Sequence, residues 1–255
     1  MLRRIAVVTG DDKYFGKISK ADKDPETQFV QVPPGSPLPP ASVGLVTPTA
    51  KQDPKDVLEA AISLAKRYDE LLYLVADVVD SQEGVAPGTS KRVQEHAERF
   101  AEALGLTAEE HLALTRAALL RGIGMLKVPV DVRFKKDMLT YDEWALLQDH
   151  PKFGADMVAA TDALKDTADA ILTHHECYDG TGYPGGLEKE AIPKLGRIMK
   201  ILDVYCAMTS PRHYRKGHAT HEQAVEHLKA ERGKHFDPEL IDVFLDKDIG
   251  QTPEA

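Results

Sequence analysis

The sequence predicts a mainly α protein: a helical bundle from residue 54 onward, preceded by a small β-rich appendage. Three observations carry this. Apolar residues recur at helical spacing in segment after segment beyond residue 54. Helix-start signals repeat along the same stretch, at Asp53-Pro54, Thr107-Ala108-Glu109-Glu110, Thr140-Tyr141-Asp142-Glu143 and Asp237-Pro238. Residues 1–50 instead carry short β-like runs, the last two separated by Pro33-Pro34-Gly35 and Pro37 to Pro40.

The runs Ile5-Ala6-Val7-Val8, Phe29-Val30-Gln31-Val32 and Val43-Gly44-Leu45-Val46 predict three strands in a unit over 1–50. A helical domain is expected over 54–250. It opens with one long amphipathic helix, or two, from Pro54 to about Ser81. The stripe of Val57, Leu58, Ala61, Leu64, Ala65, Tyr68, Leu71, Leu72, Val75, Val78 and Val79 is a core-facing or dimer-forming surface. Val93, Ala97, Phe100, Ala101 and Leu104 mark the next helix, stopped by Gly105. The capping box at Thr107 opens a helix through Leu120, loosened by Gly122 and Gly124. The box at Thr140 starts a helix carrying Trp144, Leu147 and His150. Further helices are expected over 151–160, 163–175, around Ile198 to Tyr205, over 221–232 and over 238–245.

At 255 residues, 42% hydrophobic and 29% charged, the chain has the balance of a soluble globular protein. Its net charge of −9 argues against binding a nucleic acid polymer or an anionic membrane. No apolar run approaches the ~20 residues of a membrane span. The two cysteines, Cys177 and Cys206, form no framework, which points to a reduced, cytoplasmic setting.

The strongest chemical signal is His174-His175-Glu176-Cys177-Tyr178-Asp179-Gly180-Thr181-Gly182-Tyr183-Pro184-Gly185-Gly186. Two adjacent imidazoles, with His150 as a third candidate, suit a divalent metal, although a core histidine is as readily just hydrogen-bonded. Asp203 lies on an otherwise apolar helical face, where a carboxylate is paired or metal-bound. The loop from Asp179 to Gly186 is rich enough in glycine to admit a ligand close to the backbone, and Tyr183 offers a ring for stacking. A structural turn explains the same residues. Arg212 and Arg215, in a basic cluster of an acidic protein, offer guanidinium forks to a phosphodiester, or form a solvated loop.

His174-His175-Glu176 with Asp179-Gly180-x-Gly182-Tyr183-Pro184 resembles the second signature of HD-GYP domains, a branch of the HD phosphohydrolase superfamily. The likeness covers most of residues 70–247. It implies an HD-domain-like helical bundle. It also implies kinship with bacterial enzymes that use two or three iron or manganese ions to hydrolyse cyclic di-GMP. The departures are specific. Arg121, Gly122 and Met125 stand where the family has a metal-binding histidine, a bridging aspartate and a substrate-facing lysine; Thr89 stands where it has another ligand histidine. By this resemblance one metal position keeps only Asp203. The other keeps His150, His174 and His175, so the expectation is one divalent metal at most (iron, manganese or zinc), or none, with Arg121 paired to Asp203 in an empty site.

Asp179, Tyr183, Arg212 and Arg215 match ligand-facing residues. The expectation is a degenerate, catalytically impaired signalling module. It would bind cyclic di-GMP or a related nucleotide, or a signalling partner such as a GGDEF-type protein, with the helix at 54–81 as a homodimer surface. The alternatives are a phosphodiesterase with a reduced metal site at His150, His174, His175 and Asp203, and a purely protein-interaction domain with an empty pocket.

Overall fold

A computed structural model describes residues 3–8, 16, 27–32, 44–46, 54–211 and 217–251. The chain divides into two compact units, Met1–Leu72 and Tyr73–Ala255. In the first, strands β1 (Arg3–Val8), β2 (Thr27–Val32) and β3 (Gly44–Val46) form a sheet in the order β2-β1-β3. Both pairings are parallel, with Ile5 opposite Phe29 on one side and Gly44 on the other. The three β-like runs of the sequence are these strands.

Helix α1 (Pro54–Glu83) is one unbroken element of 30 residues, not two. It crosses from the first unit into the second. Leu72, Ala76 and Val79 are buried, whereas Leu64, Leu71, Leu74, Val75 and Val78 are exposed. The apolar stripe read from the sequence is therefore two faces, of which one packs inward.

The second unit is a helical bundle built around α3 (Ala108–Leu120). Every residue from Leu112 to Leu120 is buried, as expected of a helix with no polar stripe. It packs against α2 (Thr89–Leu104), α7 (Ala168–Thr173) and α8 (Lys194–Thr209). Its capping box is formed: the Thr107 side chain accepts from the Glu110 amide, and the Glu110 side chain accepts from the Thr107 amide. Thr140 and Glu143 do the same for α5 (Tyr141–Gln148). The short α4 (Val130–Arg133) precedes α5, and α6 (His150–Ala159) follows it. Helices α9 (His221–Ala230) and α10 (Pro238–Asp246) close the bundle. Phe244 of α10 meets Phe100 of α2 at 5.8 Å and Tyr205 of α8 at 5.2 Å between ring centres.

Two sequence expectations need correction near the site. His150 does not end the helix begun at Thr140. Asp149 makes a turn, and His150 opens α6 with Pro151 in its first turn, where a missing N–H costs nothing. The helix expected over 163–175 is shorter: a 3-10 turn at Lys165–Thr167 leads into α7, and His174 caps its end. A further 3-10 turn, Ile123–Lys127, follows α3 and lies against α6. Contact there is so close that a Cβ on Gly124 would sit 1.9 Å from the His150 carbonyl oxygen. Glycine at 124 is what lets the start of α6 reach its position. Arg212 and Arg215 lie outside the described residues.

Candidate metal centre

Two elements deliver one imidazole cluster. His150 comes from the first turn of α6, His174 from the cap of α7 and His175 from the residue after it. One ring nitrogen from each lies within 4.8 Å of the others. The rings are 5.4 Å (150–174), 5.1 Å (150–175) and 4.1 Å (174–175) apart, centre to centre. His150 Nδ1 donates to the Leu147 carbonyl at 2.9 Å and His174 Nδ1 to the Ile171 carbonyl at 2.6 Å. A carbonyl only accepts, so both rings carry their proton on Nδ1 and keep the Nε2 lone pair free.

Burial, which disfavours charge, lowers the pKa of all three. His174 falls to about 3, with His150 beside it adding to the effect. His150 is lowered by burial, and His175 is held well below its ordinary value by burial and then by His174. Three neutral imidazoles at physiological pH are the protonation state a metal needs. The donor set therefore fits one divalent ion.

Asp203, on α8, is not open in the same way. Arg121 Nε donates to its Oδ1 at 2.9 Å. Burial would push the Asp203 carboxyl up; the Arg121 guanidinium, then His175 and His174, override it and hold it far below the usual carboxylate range. Arg121 Nη1 donates to Ser90 Oγ at 2.9 Å and to the Ala118 carbonyl at 3.2 Å, and Nη2 is 3.9 Å from Glu83. Ser90 Oγ in turn donates to Asp80 at 2.5 Å, and the Ser90 amide also points at that carboxylate. Burial opposes the charge on Arg121, but Glu83 and then Asp203 raise its pKa above the ordinary arginine value. Sequence reasoning missed Asp80, Glu83 and Ser90; nothing in their spacing marks them.

The remaining sequence candidates fall as follows. Thr89 Oγ1 donates to the Ala86 carbonyl at 2.6 Å, within its own turn. Gly122 is buried and Met125 half-buried in the 3-10 turn. Tyr183 stacks on His175 at 4.8 Å, with ring planes 23° apart. Exposed Asp179 accepts from the Thr181 amide and hydroxyl at 3.1 and 2.6 Å, shaping its own loop. The loop is anchored by Glu176, which is buried and accepts from the Gly185 amide at 2.6 Å and the Leu187 amide at 3.1 Å. That role was legible in part, since a carboxylate beside a glycine-rich loop is a natural acceptor for its amides. Arg92 holds the end of α8, donating to the Cys206 carbonyl and Thr209 Oγ1 at 3.0 Å and to Ser210 Oγ.

The chain and its helical architecture have counterparts among known proteins. A 3′3′-cGAMP-specific phosphodiesterase 2 of Vibrio cholerae is 32% identical over 187 residues, covering 72% of this chain and 36% of that protein. The cyclic di-GMP phosphodiesterase response regulator RpfG of Xanthomonas campestris is 33% identical over 208 residues, covering 76% of this chain and 55% of its own length. The chain thus spans about a third to a half of the length of these relatives. Among solved structures, a cyclic GMP-AMP specific phosphodiesterase of V. cholerae superposes with a TM-score of 0.54 at 20% identity, over 69% of this chain and 48% of that one, which speaks to the fold. The family model described as HD domain matches residues 73–240, well over half the chain and all of the imidazole cluster, and the chain belongs to that family.

Proposed function

We propose that the chain is an HD-GYP-like signalling module of a bacterial cytosol that binds a cyclic dinucleotide and hydrolyses it weakly or not at all. The observation that carries this reading is the Arg121–Asp203 ion pair beside an intact imidazole cluster. The cyclic dinucleotide class is supported by the names of the relatives.

His150, His174 and His175 would hold a single divalent ion, iron, manganese or zinc. Such an ion supplies Lewis acidity toward a phosphoryl oxygen. The chain's own residues orient the site. The Leu147 and Ile171 carbonyls fix two rings, and Tyr183 covers a face of the third. In-line hydrolysis between two ions needs a second set of ligands. Thr89 is turned to its own loop, Gly122 has no side chain and Arg121 brings a positive charge. Arg212 and Arg215, with the loop from Asp179 to Gly186, are the proposed ligand-facing groups. The exposed face of α1, with Leu71, Leu74 and Val78, is the proposed homodimer surface.

The test is calorimetric titration with cyclic di-GMP and 3′3′-cGAMP, with and without manganese, and chromatography of the products. Losing one ion's several kcal/mol of barrier lowering, at ~1.4 kcal/mol per tenfold, predicts turnover about three decades below a two-metal enzyme. Binding with turnover at that level or below supports the reading, as does loss of affinity in Arg212→Ala with Arg215→Ala. Turnover on the order of 10 per second, typical of enzymes, overturns the impaired-hydrolysis reading. Absence of binding by the wild type overturns the ligand and leaves a protein-docking role, for example toward a GGDEF-type partner.

A further inference from the structure

We infer that Arg121 is a resident cation of this site: its guanidinium, instead of a second metal ion, gathers the acidic groups of the neighbouring helices, and the pocket takes one divalent ion and no more. This deepens the reading above but does not depend on a nucleotide being bound.

The geometry argues it in three steps. First, the guanidinium does the tying that a metal does elsewhere. From the end of α3 it reaches Asp203 on α8, Ser90 on α2 and Glu83 on α1, and through Ser90 it reaches Asp80 on α1. Four helices meet at one positive charge. Arg121 and Asp80 are 5% and 0% exposed, and the Asp203 and Glu83 side chains are half-buried, so little water screens these contacts. A planar fork makes these directional contacts at once, which an ammonium group on a single point does not.

Second, one oxygen of the carboxylate a second ion would need is already taken. Asp203 gives Oδ1 to Arg121, and any divalent ion drawn to that carboxylate meets a fixed guanidinium beside it. Among the described residues, the set able to hold a metal is His150, His174 and His175, without Asp203, Glu83 or Asp80.

Third, Glu83 and Gly122 are complementary. A Cβ on Gly122 would lie 1.5 Å from Glu83 Oε1 and 3.0 Å from Val79 Cγ1. The volume that a side chain at 122 would fill is taken by a carboxylate delivered from α1, which faces Arg121. A carboxylate grafted onto position 122 therefore expels the one already there.

The experiment uses the full chain stripped with EDTA. Manganese bound per chain is counted by mass spectrometry after gel filtration, and electron paramagnetic resonance reports whether two ions are coupled. Thermal unfolding is followed in EDTA for the wild type, Arg121→Met, Arg121→Lys and the pair Arg121→Met with Asp203→Asn. The expected result is one manganese and no coupled pair. In EDTA, Arg121→Met should lower the Tm by roughly 5 to 10 °C, because it leaves the half-buried Asp203 carboxylate and the fully buried Asp80–Ser90 pair without their shared cation. Arg121→Lys should recover less than half of this, and the double variant most of it. Two manganese ions per chain, or an Arg121→Met Tm within about 1 °C of wild type, would overturn the inference. The wild-type count stands even if a variant fails to fold. A count of zero overturns the single-ion half of the inference and removes the ion from the proposed function; the expected Tm pattern would then support the resident cation alone.

Discussion

Replacing Glu176 with alanine removes the acceptor for two loop amides at once. The carboxylate is 2% exposed and takes the Gly185 N–H at 2.6 Å and the Leu187 N–H at 3.1 Å. A hydrogen bond to a charged group contributes about 1.5 to 3 kcal/mol net. Two would give ~3 to 6 kcal/mol, but Gly185 is exposed, so its amide finds water when the carboxylate is gone. The lower end is the better figure: about 3 kcal/mol, or roughly 6 to 12 °C in Tm for a unit of this size. Amide hydrogen exchange resolves the cause. In Glu176→Ala the Gly185 and Leu187 amides should lose protection while those of α3 keep it. Glu176→Gln should fall between, since an amide oxygen accepts without charge and its NH2 meets the loop with no acceptor. Unchanged exchange at Gly185 and Leu187 would refute the anchoring argument, whatever the Tm does.

Three further outcomes are expected. His174→Ala should abolish manganese binding in calorimetry, while an alanine at exposed Tyr141 should leave it intact. Gly122→Asp should lower stability by about 1 to 3 kcal/mol through overpacking against Glu83 and Val79, and adding Glu83→Ala should restore part of it, read by thermal unfolding. His96 is buried, and burial, helped by Arg92 and Arg99, lowers its pKa to about 4 from 6.5. The unfolded chain therefore binds a proton that the folded chain refuses. The stability this gives is complete above pH 6.5 and is lost as pH falls toward 4. His96→Asn should flatten that part of the pH–stability curve by the uptake of one proton; an unchanged slope would count against it.

Much of the bundle was legible because its causes are local. Thr107 with Glu110 and the largely apolar segment from Leu112 to Leu120 are enough to mark α3, and the adjacency of His174 and His175 marks the cluster. The start of α6 was not, because the apolar spacing of Trp144 and Leu147 runs on to His150, and a proline reads equally as a stop or a first-turn residue. The relay from Arg121 through Ser90 to Asp80 links residues 31 and 10 positions apart, and polar residues at such separations carry no periodic signal. Tyr183 shows a subtler limit. Its ring was marked for stacking, and it does stack, but on His175 of its own chain. The sequence proposes a surface; only packing decides what covers it.

That stack has a thermodynamic consequence. Tyr183 and His175 are one unit: the ring at the mouth of the loop and a ring of the candidate metal cluster share a face. A molecule that draws Tyr183 outward removes a wall from His175, and an ion that pins His175 fixes the platform on which Tyr183 rests. Occupancy of the loop and occupancy of the cluster are then linked equilibria. Whatever factor one applies to the affinity of the other is returned in full, with the same sign.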